Sequence, residues 1–256
     1  MSTDRRPKRR GVDTAPTTAA VWATVSGIVA QRTAELARPL RVLDLGGGTG
    51  GLAVPLAEAG HQVIVVDPNL DALASLRRRA AEAGLSDTLV STQGDADDLR
   101  AILKARVDLA CLHGTLEIVD DPAHTVGRIA EVITPGGHLS VVTAQRFGAV
   151  IARALSGQFQ SAQTILNHPD GRWGAGDPVR RRFDQSSLEA MLFSAGFNVV
   201  LSHGVRLFSD LVPSAAIGSE PDRAALIALE QAIAAHPEFA ALGQIGASLH
   251  VVARRH

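Results

Sequence analysis

The chain has 256 residues, enough for one sizeable α/β domain with additions and too few for two full ones. Its 25 basic and 26 acidic residues leave a formal charge of −1, so no global basic field draws it to nucleic acid or to a membrane surface. The single cysteine, Cys111 in the apolar run VDLACL, excludes an intramolecular disulfide and reads as a buried thiol; no CxxC, HExxH or zinc-spaced His/Cys cluster points to a metal, and no apolar run reaches the length of a membrane span.

In chain order, residues 1–16 form a basic tail (Arg5, Arg6, Lys8, Arg9, Arg10) that reads as flexible and solvated, and it lacks a signal-peptide core. An Ala/Val-rich helix spans Thr17 to Ala37 and stops before Pro39. The first strand runs from Arg41 to Leu45, followed by a helix from Gly51 to Ala59. Val63 to Asp67 is a second strand, Leu70 to Ala83 a strong helix closed by Gly84, and Thr88 to Gln93 a third strand. An acidic helix from Ala96 to Leu103, a strand from Val107 to Leu112 and a helix from Ala123 to Ile133 follow. The turn Thr134-Pro135-Gly136-Gly137 precedes a fifth strand, Leu139 to Thr143.

From Gln145 to Arg182 the chain is polar, glycine-rich and irregular, the signature of a functional lid or insertion, here bounded as residues 145–185. A helix from Ser186 to Ala195, one long or bent strand from Phe197 to Phe208, a helix from Pro221 to Ala235 and a strand from Ser248 to Arg254 complete a single domain over residues 17–256. Strands alternating with helices, with continuous apolar strand cores, predict a Rossmann-like, mostly parallel sheet covered by helices on both faces. Right-handed crossovers then bring all the parallel strand tips to one edge, where ligands bind.

That edge collects Asp44 with Gly46, Gly47 and Gly48, then Asp67 with Pro68, then Asp95 with Ala96, then His113 with Gly114. Gly46, Gly48 and Gly51 satisfy GxGxxG, which dinucleotide dehydrogenases also carry. Asp44 argues against that ligand, because a carboxylate two residues before the first glycine repels a pyrophosphate and welcomes a cationic, amino-acid-bearing one. Asp67, about twenty residues beyond the glycines, suits a ribose hydroxyl pair, and Asp95 an adenine amino group. Helix capping by Asp67 or Asp95 stays open, as does a purely structural Asp44 or His113.

These motifs resemble those of the class I S-adenosylmethionine-dependent methyltransferases: VLDLGGGTG, VVDPN, GDADDL and ITPGGHLSVV in order over Arg41 to Thr143. The resemblance implies a seven-stranded sheet with an antiparallel last strand and S-adenosyl-L-methionine as cofactor. It implies that Asp44 and Gly46 to Gly48 hold the methionine end, Asp67 the ribose, Asp95 and Ala96 the adenine, with His113 and Gly114 beside the sulfonium. HGTLEIVDDP, ALSGQF, GVRLFSDL and LHVVARR extend the likeness to the tRNA 5-carboxymethoxyuridine carboxyl methyltransferase family, which implies tRNA as partner and a carboxylate acceptor.

On that resemblance Arg206 is the substrate-side cation, joined by His250 and Arg254. Arg180, Arg181 and Arg182 stand in place of a lysine-rich stretch and read either as a solvated basic face or as phosphate contacts. The family's Tyr-Asn pair after the fifth strand is here Ala144-Gln145, and the chain has no tyrosine. A small-metabolite acceptor under the 145–185 segment, a cofactor-binding module without catalysis, and a dehydrogenase are the other readings. The cytoplasm is the expected compartment.

Overall fold

The computed structural model describes residues 19–213 and 217–256, so the basic tail lies outside the described residues. α1 (Ala19–Leu36) crosses one face of the sheet and ends just ahead of Pro39. The strands are β1 (Arg41–Leu45), β2 (Gln62–Asp67), β3 (Leu89–Gln93), β4 (Val107–His113), β5 (Ile133–Ala144), β6 (Phe197–Val205) and β7 (Ser248–Arg255). They form one sheet in the order β3-β2-β1-β4-β5-β7-β6. The first five are parallel, and β7 runs antiparallel to both neighbours. The mostly parallel sheet is what the alternating pattern predicts, and the seven strands with an antiparallel β7 are what the family resemblance implies. β1 pairs with β2 on one side and β4 on the other, so the winding reverses there and a crevice opens at the tips of β1 and β4.

Helices cover both faces because each strand alternates two apolar sets. Leu43 and Leu45 belong to the core shared with α5 (Pro122–Val132) and α8 (Gln185–Ser194), through Ile129, Leu188 and Leu192. Val42 faces the other core, with Val25 of α1, Leu56 of α2 (Ala53–Glu58) and Leu73 of α3 (Leu70–Glu82). Polar side chains fix several helix starts. Asn69 accepts from the amides of Asp71 and Ala72, Asp121 from His124, and Asp184 from Ser187. Ser219 and Asp222 form a capping box at α9 (Glu220–Ala235).

Three expectations need correction. The acidic helix shrinks to α4 (Leu99–Ile102), because Asp95 and Asp98 bond backbone amides in the preceding turn (Asp97 N to Asp95 Oδ1, 2.8 Å; Asp95 N to Asp98 Oδ2, 3.1 Å). Residues 145–182 are not irregular throughout: they hold α6 (Arg146–Leu155) and α7 (Phe159–Asn167), and only then a loop. That loop is tied to the sheet, since the Arg146 amide donates to Phe183 O at 2.8 Å and the Phe183 amide to Ala144 O at 2.9 Å. β6 stops at Val205, because Arg206 adopts φ +60°, a left-handed conformation that breaks an extended strand.

Arg182 anchors the loop from within. Its guanidinium bonds both oxygens of Asp177 (2.6 and 3.1 Å) and Gly171 O (2.8 Å), and the Asp177 carboxylate is fully enclosed. Removing the cation leaves the buried carboxylate, among the described residues, with no counter-charge and only the Trp173 and Val179 amides as donors. Arg182→Ala is expected to destabilise the protein by about 3–5 kcal/mol, and Arg182→Ala with Asp177→Ala by clearly less; urea unfolding of both variants measures the difference.

Candidate active site

At the tip of β1 the backbone turns sharply through the glycines. Gly46 has φ +77°, and a Cβ there would lie 2.5 Å from Thr115 Oγ1. A Cβ on Gly47 would lie 2.3 Å from Asp44 Oδ2, so the carboxylate and the turn occupy one another's space and only glycine fits. The turn is pinned from both neighbouring strands: the Gly46 amide donates to Val66 O (2.8 Å), and the Thr115 hydroxyl donates to Leu45 O (2.7 Å). Thr115 was not legible as a site residue, because its partner is 70 positions away.

The structure brings Asp44, Gly46, Gly47, Gly48, Asp67 and Pro68 together at adjacent tips. Asp67 Oδ2 accepts from the Gly48 amide at 2.9 Å and Oδ1 from the Asn69 amide at 2.8 Å. Asp67 is therefore not the cap of α3; Asn69 is. Asp95 stands exposed at the end of β3 beside buried Ala96. His113 and Gly114 end β4, with the Gly114 amide on Val142 O at 2.8 Å. His113 is half-buried and its Nε2 bonds Ser140 Oγ at 2.8 Å.

Asp44 dominates the electrostatics. It is buried, and no donor among the described residues bonds its carboxylate. Burial first, and then the Asp67 carboxylate, push its carboxyl up to about 7. A positive charge placed beside this pair would favour the ionised form of Asp44. Next to it, a Cβ on Gly48 would meet only Asp67 Oδ2 at 3.9 Å, and one on Gly114 nothing within 4 Å, so the crevice has room. These residues fit a ligand with a cationic end and a ribose.

The substrate-side residues fall differently. Arg206 lies at the same edge as the tip of β5, through the pairs Ala144↔Ser248 and Ser248↔Val205, and its guanidinium pairs with Asp210. His250 is fully buried, so it offers no surface to a substrate: it lies inside the sheet between Ser140 and His203. Arg182 is likewise withdrawn onto Asp177. Arg181 bonds Asp170 and Val119 O, and Arg180 bonds Asp120 and Ile118 O. Arg254 bonds Gly136 O at 3.4 Å, at the far end of β7 from this edge. A cleft of about 310 Å³ opens past the tip of β5, lined by Gln145, Phe147, Asp184 and Glu189 among others. Among the described residues no helix is long and apolar enough to cross a membrane.

Because the folded Asp44 carboxyl holds its proton up to about pH 7 and the unfolded chain loses it near 3.8, the native state binds more protons between those values. Stability is therefore expected to fall as pH rises from about 4 to 7 through this group, and Asp44→Asn should flatten that fall. Thermal unfolding of both proteins across the window checks it.

Known proteins are similar to this chain. A methyltransferase-domain family model matches residues 22–202. The chain is 31% identical over 192 residues to the tRNA 5-carboxymethoxyuridine methyltransferase of Escherichia coli K12, covering 75% of this chain and 71% of that one. It is 33% identical over 118 residues to a ubiquinone biosynthesis O-methyltransferase of Bradyrhizobium, covering 46% and 45%. Magnesium protoporphyrin IX methyltransferase from Synechocystis, with bound S-adenosylhomocysteine, superposes with a TM-score of 0.59 at 16% identity, over 98% of this chain and 90% of that one. An S-adenosylmethionine-dependent methyltransferase from Mesorhizobium loti gives 0.59 at 21% identity, over 96% and 100%. The glycine turn, the acids at the strand tips and these relationships agree: the chain belongs to the methyltransferase-domain family and is an S-adenosylmethionine-dependent methyltransferase.

Proposed function

We propose that this enzyme forms a methyl ester on the carboxylate of a modified wobble uridine in tRNA. The observation that carries the reading is the reach of the similarity. The Escherichia coli relative matches over 75% of the chain at 31% identity, whereas the ubiquinone-pathway relatives match over 46% (an O-methyltransferase) and 63% (a C-methyltransferase of Vibrio cholerae).

In this reading Asp44 and Gly46 to Gly48 hold the amino-acid end of the cofactor. Asp67 takes the ribose hydroxyls, with Pro68 beside it, and Asp95 and Ala96 meet the adenine. His113 and Gly114 line the space between cofactor and acceptor. When bound, S-adenosylmethionine supplies a methyl group on a sulfonium, which leaves as a neutral thioether. A carboxylate attacks with its own lone pair and gives up no proton, so the protein needs orientation more than a base. Arg206, at the correct edge, is the cation for that carboxylate, and binding exchanges Asp210 for the substrate. Arg180 and Arg181 flank the approach as phosphate contacts.

The occupied arginines favour one second reading. Each guanidinium of the 180–182 triplet already has an acidic partner, which suits a small-molecule acceptor held near residues 145–185.

Asp67→Ala is expected to abolish saturable S-adenosylhomocysteine binding, measured by calorimetry; binding of NADH in its place would contradict the cofactor assignment. Mass spectrometry of tRNA nucleosides from cells with and without the gene should show loss of the methyl ester and accumulation of the free carboxylate. Unchanged nucleosides would move the weight to a small acceptor. Bulk tRNA binding should weaken steeply with salt, with Arg180→Ala and Arg181→Ala together reducing the log–log slope by roughly 1 to 2.

A further inference from the structure

Three histidines on three strands occupy one row across the sheet. His113 of β4 is in register with Val142 of β5, Val142 with His250 of β7, and His250 with His203 of β6. Ser140, two residues before Val142 and on the same face of β5, closes the gap. His113 Nε2 lies 2.8 Å from Ser140 Oγ, Ser140 Oγ 2.9 Å from His250 Nε2, and His250 Nδ1 3.3 Å from His203 Nε2. The rings meet edge to face, with centroids 5.9 and 4.9 Å apart. Ser140 and His250 are fully enclosed and His203 nearly so, while His113 is half-buried at the β1/β4 crevice, two residues before the Thr115 strap on the glycine turn. Among the described residues nothing bonds His113 Nδ1.

We propose that His113 is a catalytic residue whose free Nδ1 hydrogen-bonds the acceptor's carboxylate. Ser140, His250 and His203 are positioning residues that fix its ring and tautomer through one continuous hydrogen-bonded chain. The proposal rests on the carboxylate reading above. A carboxylate only accepts, so His113 donates from Nδ1–H, and its Nε2 must then accept from the Ser140 hydroxyl. Ser140 Oγ in turn accepts from His250 Nε2–H, and His250 Nδ1 accepts from His203 Nε2–H. Each donor and acceptor along the chain is used once, and a single tautomer of each ring satisfies it. Burial supports this arrangement: it pulls His113 and His203 down to about 4 and His250 well below its ordinary value, so the rings are uncharged at neutral pH. An uncharged donor orients the nucleophile without neutralising it and without repelling a neighbouring sulfonium. The chain thus gives the fully buried His250 a role at a distance that its burial denies it by contact.

The test uses the full chain, labelled with ¹⁵N-histidine and saturated with S-adenosylhomocysteine, in long-range ¹H–¹⁵N NMR at pH 7. The expected result is an Nδ1–H tautomer for His113 and Nε2–H tautomers for His250 and His203. Ser140→Ala should give mixed His113 tautomers and a roughly 10- to 100-fold lower kcat on an anticodon stem-loop carrying 5-carboxymethoxyuridine. Its S-adenosylhomocysteine affinity should be unchanged, which also reports intact folding. Ser140→Thr should restore both readouts, and His203→Asn should loosen the tautomer from the far end of the chain. Wild-type turnover that Ser140→Ala leaves unchanged, or an Nε2–H tautomer at His113, overturns the proposal. A wild type that shows the tautomers but does not methylate the stem-loop overturns the carboxylate reading, and with it the His113 contact.

Discussion

Two carboxylates at neighbouring strand tips, one of them buried, set the terms for this molecule. Asp44 and Asp67 end neighbouring parallel strands, and burial together with their mutual repulsion raises the Asp44 carboxyl to about 7. Such an arrangement opposes folding and persists because the rest of the structure determines it. The parallel pairing of β1 with β2 and β4 fixes the tips, and the Thr115 hydroxyl and the Gly46 amide hold the turn in place. A ligand carrying positive charge relieves the repulsion, so energy stored in the free site becomes binding energy.

The sheet extends this logic sideways. Its order places the glycine turn and the end of β4 at the switch point, and the antiparallel β7 brings the end of β6 back to the same edge. Arg206 reaches that edge by the same route, in a left-handed conformation that a continuing strand would forbid. The same register lines up His113, His250 and His203.

Much of the cofactor half was legible in the sequence, because its signals are local. A glycine run after an apolar strand, and acids closing the next two strands, announce themselves within a few residues. The acceptor half depends on distant partners. Arg180 to Arg182 read as an exposed basic patch because Asp120, Asp170 and Asp177 become their neighbours only on folding. His250 looked like a strand-end ligand, since its enclosure by Ser140 and His203 follows from a strand register that periodicity does not specify. α6 and α7 escaped notice because glycine and polar residues around them mask two short amphipathic helices. Ser140 within LSVV was a hint of the chain: a polar residue set among apolar neighbours.

The most direct measurement of the central claim is the proton count on cofactor binding. Calorimetric titration of S-adenosylmethionine at pH 6, in buffers of differing ionisation enthalpy, should show release of close to one proton as the cationic ligand ionises Asp44, and none in Asp44→Asn. Tight binding by the wild type without proton release would contradict the account.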